Sequence, residues 1–210
     1  DIGTVLSMLA RHQNNYTETH YRHCLNVLKY LKNTKDKCIR FSCDSDADRD
    51  LVGYVDLGFA GDPSSSKSRT GLIMFCANGP IIWRSALQSI VAQSSTEAEY
   101  IALSQSMREV IPFITLLQEI DKIFSTNTNK ARFHCKVFED NNSCISLETS
   151  EKFSPRTKRI ALKYHHFRRF VTEKLIEILP IDTKEQLADI FTKPLDEDLF
   201  LYLTGKQSGW

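Results

Sequence analysis

The stretch Ser94-Ser95-Thr96-Glu97-Ala98-Glu99-Tyr100-Ile101-Ala102-Leu103 is the one around which the rest of the chain can be interpreted. It predicts the start of a helix, because Ser and Thr suit the N-cap position, where a side-chain oxygen accepts from unpaired backbone N–H groups. Ser94 also has Glu97 at the spacing of a capping box. Glu97 therefore has two interpretations at this point. It is either an N-terminal carboxylate favoured by the helix dipole or one of several carboxylates in a metal site, which requires three more elsewhere.

The composition of the 210 residues is that of an ordinary globular protein, with 41% apolar and 25% charged residues. The formal net charge of +1 gives no global nucleic-acid signature, so any basic surface must be local. No apolar run approaches the roughly 20 residues that span a bilayer, and no signal peptide is expected at the start. The chain begins at Asp1 rather than Met, which suggests that it was cut from a longer protein.

Two other kinds of metal site are disfavoured by spacing. The six cysteines include no Cys-x-x-Cys pair, which favours reduced, buried thiols in an intracellular protein. His20, His23 and Cys24 lack a second ligand pair at a spacing suitable for zinc. The acidic stretch 44–50 lacks the Gly and the terminal Glu of a calcium-binding EF-hand loop, so a solvated linker is favoured there.

Hydrophobic periodicity divides the chain into three parts. Residues 1–50 are predicted to be helical, with Thr17 as an N-cap and a linker at 44–50. The part at 51–195 is predicted to be one mixed α/β domain, and 196–210 a C-terminal tail. Within the domain, alternating and apolar runs predict strands, and 3.6-residue spacing predicts helices. The strands are expected at 51–57, 70–75, 81–83, 133–138 and 176–181, and the helices at 95–120, 143–147, 164–175 and 185–192.

Three further carboxylates stand at positions that suit a shared site. Asp56 lies in an apolar strand, where a carboxylate is costly unless it is paired or metal-bound. Asp140 ends a strand, where ligands bind in open α/β sheets, although it could equally cap the next helix. Asp189 lies on the last short helix and alone would be a solvated charge. Together they fit Mg²⁺, since two such ions about 4 Å apart can activate water and stabilise the leaving oxygen in phosphodiester cleavage.

The motifs around these carboxylates resemble the ribonuclease H domain of Copia-type LTR retrotransposon Pol polyproteins. They occur in the family's order, as GYVD at 53–56, GD at 61–62, KSRTG at 67–71, SSTEAEY at 94–100, EDN at 139–141 and QLADIFTKPL at 186–195. The earlier stretch from His20 to Thr34 resembles the connection segment at the end of the preceding reverse transcriptase.

The resemblance implies an α/β, ribonuclease H-like fold with a five-stranded mixed sheet flanked by helices, here with an N-terminal helical appendage. It implies four catalytic, metal-binding acids, which map by motif to Asp56, Glu97, Asp140 and Asp189. Glu99 is the rival for the helix position, because residues two apart on a helix point to nearly opposite sides and cannot both reach one centre. Glu97 is favoured because it directly precedes the apolar stripe that begins at Ala98.

The resemblance also implies an activity and its partners. The expected enzyme is a Mg²⁺-dependent ribonuclease H with two ions, for which Mn²⁺ can substitute. It would cut the RNA strand of RNA–DNA hybrids by in-line attack of a metal-bound water during reverse transcription. Its partners would be the RNA–DNA hybrid and the upstream reverse transcriptase domain of the same polyprotein, with no membrane partner. The expected location is intracellular, in cytoplasmic virus-like particles, with the nucleus as a further location.

Departures from the family's pattern leave a second interpretation open. Gly58 and Phe59 stand where the family usually has Asp and Trp, and Arg159 and Ala161 replace a His and an Asp. Cellular ribonucleases H also carry a loop His before the last Asp, and none lies between His166 and Asp189. The alternative is therefore a catalytically weak or inactive, hybrid-binding or structural remnant of a retrotransposon polyprotein.

A basic stretch at 152–174 is the local surface expected to contact substrate. A hybrid-binding enzyme must neutralise two phosphate backbones, and it should recognise shape, 2′-hydroxyls and phosphates rather than base sequence. A solvated charged face is the alternative, and His165 could also be a packed or capping histidine. The substrate-binding candidates are Lys158, Arg159, Lys163, His165, Arg168 and Arg169.

Overall fold

The computed structural model describes residues 1–41, 51–62, 64–124, 134–149 and 165–208. The strands are β1 (Leu51–Gly58), β2 (Arg69–Cys76), β3 (Gly79–Leu87), β4 (Cys135–Glu139) and β5 (Ile176–Pro180). The α-helices are α1 (Gly3–Ala10), α2 (Glu18–Asn33), α3 (Ser95–Phe124), α4 (Asn142–Thr149), α5 (Arg168–Thr172) and α6 (Glu197–Ser208). Two 3₁₀ helices are η1 (Thr183–Glu185) and η2 (Leu187–Phe191). The predicted linker at 44–50 and the candidates Lys158, Arg159 and Lys163 lie outside the described residues.

The five strands form one mixed sheet in the order β3-β2-β1-β4-β5. The strands β1, β2 and β3 pair antiparallel, whereas β1, β4 and β5 run parallel. The central position of β1 explains its apolar sequence, because its neighbours cover both edges and helices cover both faces. Strand β5 is an edge strand, which is where its terminal Pro180 can be accommodated. The predicted fold class is confirmed by this topology.

The hairpin between β2 and β3 sets the register of the antiparallel half. Cys76 pairs with Gly79, so the turn residues are Ala77 and Asn78. Both have positive φ, 50° and 61°, as a two-residue type I′ turn requires. The sequence predicts a hairpin at this point, and Asn78 is the residue that tolerates the left-handed conformation best.

Alternation along the strands divides the core between the two faces of the sheet. One face packs against α3, through a cluster that includes Val55, Leu72 and Ile101. The other face packs against η2 and α6, and its buried residues include Phe191 and Leu203. The sheet is therefore the middle of three layers, with α3 on one side and η2 and α6 on the other.

Several predicted elements differ in extent from the observed ones. The helix predicted at 164–175 is the short α5, and the helix predicted at 185–192 forms the two 3₁₀ helices. The predicted C-terminal tail contains α6, whose Leu203 is fully buried. At the N-terminus, α1 contacts β3 and η2, so it packs on the sheet domain rather than standing apart from it. None of the described helices is long and apolar enough to cross a membrane.

Candidate metal centre

Three carboxylates from three different elements meet at one edge of the sheet. They are Asp56 near the end of β1, Glu99 on α3 and Asp140 directly after β4, and one oxygen of each lies within 4.8 Å of the others. The strands β1 and β4 are parallel neighbours, so their carboxyl ends lie side by side. Asp56 and Glu99 are buried and Asp140 is half-buried. Like charges held this close disfavour one another's ionised forms unless a cation lies between them.

The structure places Glu99 rather than Glu97 in this cluster, whereas the sequence favoured Glu97. The carboxylate of Glu97 accepts from the backbone N–H of Gln93 at 2.8 Å, and its own N–H donates to Ser94 Oγ at 3.1 Å. Glu97 therefore stabilises the start of α3, as its capping interpretation predicted. Residues two apart do diverge on the helix, but Glu99 is the one that faces the sheet.

A signal in the sequence could have identified Glu99. Glu99 is flanked by Ala98 on one side and by the apolar run Tyr100–Leu103 on the other. Every residue of α3 from Ala98 to Ser104 is buried, so burial extends around the helix here. A glutamate inside such a run is expensive to bury without a partner. Glu97 directly precedes this buried stretch and is itself only partly buried.

Asp189 on η2 lies next to this cluster. Its residue is 1% exposed, and its Oδ1 accepts from Lys193 Nζ at 2.8 Å. Burial and the neighbouring charge of Asp56 raise the pKa of Asp189 to about 7. Thr192 Oγ1 donates a hydrogen bond to the carboxylate of Asp56, so the segment that carries Asp189 also holds Asp56. The structure therefore brings Asp56, Asp140 and Asp189 close to one another, with Glu99 as the fourth acid.

Lys193 is a basic residue of this site that the sequence did not single out. Burial opposes its charge, but the hydrogen bond to Asp189 and the charges of Asp56, Asp189 and Asp140 raise its pKa overall. Lys193 follows Asp189 by four residues, within the QLADIFTKPL motif. Its ammonium group offsets part of the negative charge of the site.

Three carboxyl groups of the site, those of Glu99, Asp140 and Asp189, have raised pKa values. Burial first, and then the charges of Asp56 and Asp140, raise the pKa of Glu99 to about 9. Burial and Asp56 also raise the pKa of Asp140. A further acid, Glu139, is fully buried, and burial and Glu99 raise its pKa strongly. These shifts have one physical cause, which is like charge held in a dry environment.

The donor set fits a hard divalent cation. Carboxylate oxygens are the ligands that Mg²⁺ and Mn²⁺ prefer, and one oxygen each of Asp56, Glu99 and Asp140 lies within 4.8 Å of the others. Asp140 does not cap α4, because Asn141 Oδ1 accepts from the backbone N–H groups of Ser143 and Cys144 at 3.0 and 3.1 Å. Asp140 instead accepts from Thr183 Oγ1 at 3.0 Å, which orients its carboxylate.

Two glycines allow η2 to lie directly on the sheet. A Cβ on Gly71 would be 2.6 Å from Thr192 Cγ2 and 2.8 Å from the carbonyl oxygen of Ala188. A Cβ on Gly58 would be 2.7 Å from the carbonyl oxygen of Thr192. The Asp that the family usually has at the position of Gly58 therefore does not fit this backbone. Glycine at position 58, where the family usually has Asp, lets β1 lie close to the segment that carries Asp189.

Two of the basic candidates brace α3. His165 Nδ1 lies 2.7 Å from Tyr100 Oη, and Arg168 Nε donates to the same oxygen at 3.1 Å. Tyr100 is fully buried and directly follows Glu99. This contact with a buried tyrosine favours the interpretation of His165 as a packed histidine over that of a substrate contact. Arg169 is exposed and forms an ion pair with Glu173 at 2.7 Å, so it faces solvent.

Known proteins share sequence with nearly the whole chain. The retrovirus-related Pol polyprotein from transposon TNT 1-94 of Nicotiana tabacum is 34% identical over 203 residues, which are 95% of this chain and 14% of that polyprotein. The corresponding polyprotein from transposon RE2 of Arabidopsis thaliana is 31% identical over 200 residues, again 95% of this chain and 13% of the polyprotein. The secreted RxLR effector protein 161 of Plasmopara viticola is 35% identical over 111 residues, which are 53% of this chain and 77% of that protein.

Solved structures of ribonucleases H are similar to this chain at low sequence identity. LC11-RNase H1 in complex with an RNA/DNA hybrid has a TM-score of 0.45 and 16% identity, covering 68% of this chain and 93% of that one. An N-terminal ribonuclease H domain from Mycobacterium tuberculosis has a TM-score of 0.45 and 12% identity, covering 75% of this chain and 97% of that one. No protein-family model matches the chain.

The motifs in the family's order, the sheet topology and the relatives agree. The chain spans 14% and 13% of the length of the two plant polyproteins. It belongs to the retrovirus-related Pol polyproteins of transposons, of which it represents a portion with the ribonuclease H-like fold.

Proposed function

We propose that this chain is a divalent-metal-dependent ribonuclease H that cleaves the RNA strand of RNA–DNA hybrids during reverse transcription of a transposon. The observation that carries the proposal is the convergence of Asp56, Glu99 and Asp140 at the sheet edge, with Asp189 beside them. The ribonuclease H-like fold and the Pol polyprotein relatives support a function of this type.

The four carboxylates are the groups that would hold two Mg²⁺ ions. Ions bound there would supply an activated water and stabilise the leaving oxygen of the phosphodiester. The chain's own residues orient the acids: Thr192 donates to Asp56, and Thr183 donates to Asp140. Lys193 lowers the net negative charge near Asp189, which reduces repulsion of the substrate's phosphates.

The hybrid would approach across the edge of the sheet where the acids lie. Contacts to phosphates and 2′-hydroxyls would give affinity without sequence preference. Among the described candidates, exposed Arg169 has the accessibility that a phosphate contact needs, whereas His165 and Arg168 act through Tyr100. We propose Arg169 as a phosphate contact, and Lys158, Arg159 and Lys163 stay predicted contacts.

A cleavage assay with a labelled RNA–DNA hybrid tests the proposed function. The unmutated chain should cut the RNA strand with Mg²⁺ and not with a chelator. Asp140→Asn should lower the rate by at least about 100-fold, since it removes a ligand charge. Asp182→Asn is the matched control, because Asp182 is a nearby exposed cap that accepts from the backbone N–H of Lys184.

Two results would contradict this assignment. Full cleavage by the Asp140→Asn protein would show that the acids at this edge are not the catalytic ones. Absence of cleavage by the unmutated chain, under conditions where it binds the hybrid, would favour the inactive remnant.

We also propose that the α1–α2 surface packs against the polymerase part of the parent polyprotein. Helix α2 has no buried residue, and its exposed apolar side chains include Tyr21, Leu28 and Leu31. Together with α1 it lines an apolar cavity of about 710 Å³. The relatives are polyproteins about seven times longer than the matched segment. We therefore propose that another part of the same polyprotein covers this surface.

A further inference from the structure

Helix α1 is joined to η2 by a buried hydrogen bond. Thr4 Oγ1 donates to the carbonyl oxygen of Ile190 at 2.7 Å, although the two residues are 186 positions apart in the sequence. Thr4 is 8% exposed and is the buried residue of α1. The carbonyl belongs to the peptide between Ile190 and Phe191, so this bond holds η2 one residue beyond Asp189, the fourth acid of the proposed site.

A second hydroxyl holds the next carbonyl of η2. Ser85 Oγ, on β3, donates to the carbonyl oxygen of Phe191 at 2.6 Å. The carbonyl oxygen of Asp189 already accepts from the backbone N–H groups of Thr192 and Lys193. The last carbonyls of a helix have no partner within it, so η2 depends on hydroxyls from α1 and β3 to hold its C-terminal end.

Other contacts anchor α1 along its length. A Cβ on Gly3 would lie 3.3 Å from the ring of Phe191, so the helix start packs closely on η2. The buried guanidinium of Arg69 donates to Ser7 Oγ at 2.7 Å and to Ser85 Oγ at 3.1 Å. α1 is therefore held against the same part of the domain that carries Asp189.

A bidentate ion pair fixes the C-terminal end of α1. The guanidinium of Arg11 binds both carboxylate oxygens of Asp62, at 2.6 and 3.1 Å. Asp62 lies six residues after Asp56 on the loop that leaves β1. The two ends of α1 thus contact the two segments that carry Asp189 and follow Asp56.

We propose that α1 is a positioning element for Asp189, and that Thr4 is the positioning residue through which it acts. The segment N-terminal to the sheet domain then sets the placement of one metal-binding carboxylate, and displacement of α1 weakens ion binding at that acid. This inference rests on the proposed function, because it assigns Asp189 to the metal centre. It links the α1–α2 surface, where the polymerase part is proposed to pack, to the chemistry at the sheet edge.

Three variants of the whole chain test the proposal. Thr4→Val removes the hydroxyl and keeps the shape, whereas Thr4→Ser restores the donor. Thr204→Val is the matched control, because Thr204 is also buried but donates to the carbonyl oxygen of Phe200 within its own helix. The readouts are Mn²⁺ affinity without substrate, by calorimetry or paramagnetic resonance, and kcat and KM for hybrid cleavage.

The Thr4→Val protein should bind its weaker Mn²⁺ ion about tenfold less tightly and show a kcat about tenfold lower, because outer groups that orient metal ligands contribute on this scale. Its KM for the hybrid should stay within about twofold, since the substitution is expected to shift the Asp189 carboxylate and to leave the groups that contact the hybrid in place. The Thr4→Ser protein should recover both values. The Thr204→Val protein should lose thermal stability without any change in Mn²⁺ affinity.

The outcomes separate this inference from the proposed function. Unchanged Mn²⁺ affinity in Thr4→Val, with cleavage by the unmutated chain intact, would overturn the positioning role alone. Weaker Mn²⁺ binding in Thr4→Val, with no cleavage by any form, would support the positioning role and contradict the nuclease. An unmutated chain that binds no Mn²⁺ would overturn both.

Discussion

Glu99 is the residue at which burial and the proposed chemistry conflict most. Glu99 is 8% exposed and its carboxylate lies beside two other acids, and burial and these charges raise its pKa from 4.5 to about 9. Between these two pH values the folded chain holds a proton that the unfolded chain has lost. The free energy of unfolding therefore falls as the pH rises through this window. Asp189 contributes with the same sign, between 3.8 and about 7.

The pH dependence of stability should report this conflict directly. Without divalent ions, the melting temperature should fall from pH 5 to pH 9, and a loss of about 2 kcal/mol would correspond to roughly 4–8 °C for a chain of this size. Glu99→Gln should reduce the fall and abolish cleavage, since it removes the buried charge. Added Mg²⁺ should also reduce the fall, because a bound cation offsets the repulsion. Calorimetry at a series of pH values is the measurement.

Glu97→Gln provides the control for that experiment. The amide oxygen of Gln can still accept from the backbone N–H of Gln93, so stability, its pH dependence and cleavage should all stay close to those of the unmutated chain. If Glu97→Gln abolished cleavage while Glu99→Gln preserved it, the helix position of the metal centre would be Glu97 after all.

At the scale of elements, the contact between β2 and η2 determines how close Asp189 comes to Asp56. Gly71 makes this contact tight, because the nearest atoms to a Cβ there include a backbone carbonyl that cannot rotate away. Gly71→Ala should therefore destabilise the chain by about 1–3 kcal/mol, the usual range for overpacking. Gly53→Ala is the matched control on the neighbouring strand, where the nearest atom would be 3.5 Å away. Urea midpoints at a common slope measure both, and equal midpoints would contradict the close approach of η2.

The elements also show where local patterns were sufficient. The strands at 51–58 and 69–76 were predicted within two residues, because continuous apolar β-branched runs and turn residues are local signals. The 3₁₀ helices η1 and η2 were not predicted as such, because their residues lie along the surface of the sheet and do not show the 3.6-residue spacing of an α-helix. The sequence predicts a tail at 196–210, whereas the structure has α6 there, because its Leu203 is buried against residues distant in the chain, such as Ile73 and Phe75.

At the scale of the whole molecule, one apolar surface lacks a covering partner among the described residues. The side chains on α1 and α2 that line the cavity include exposed Leu6, Tyr21 and Leu28. Patches of this kind mark interaction sites in soluble proteins. The proposed occupant is the polymerase part of the same polyprotein.

Cysteine protection tests that occupant. Cys24 is exposed and lines the cavity, so a maleimide should modify it readily in this chain. In a longer segment of the polyprotein that includes the polymerase part, its modification should be at least about tenfold slower, because a packed interface core excludes water. Cys76 is half-buried on β2 and does not line the cavity, so it should react at the same rate in this chain and in the longer segment. Equal rates for Cys24 would contradict the docking of the polymerase part at this surface.

The sequence by itself determined the family and the fold class, and its motifs point to Asp56, Asp140 and Asp189 as three acids of the proposed site. Asp56 lies in a strand, Asp140 directly follows a strand and Asp189 lies in a short helix, and each stands within a motif that neighbouring residues specify. Only the tertiary structure placed Glu99 rather than Glu97 beside Asp56 and Asp140 and attached α1 to η2. The physical reason is that the rotation of α3 about its axis, and the resting place of η2 on β2, are set by burial against residues distant in sequence, which no local pattern contains.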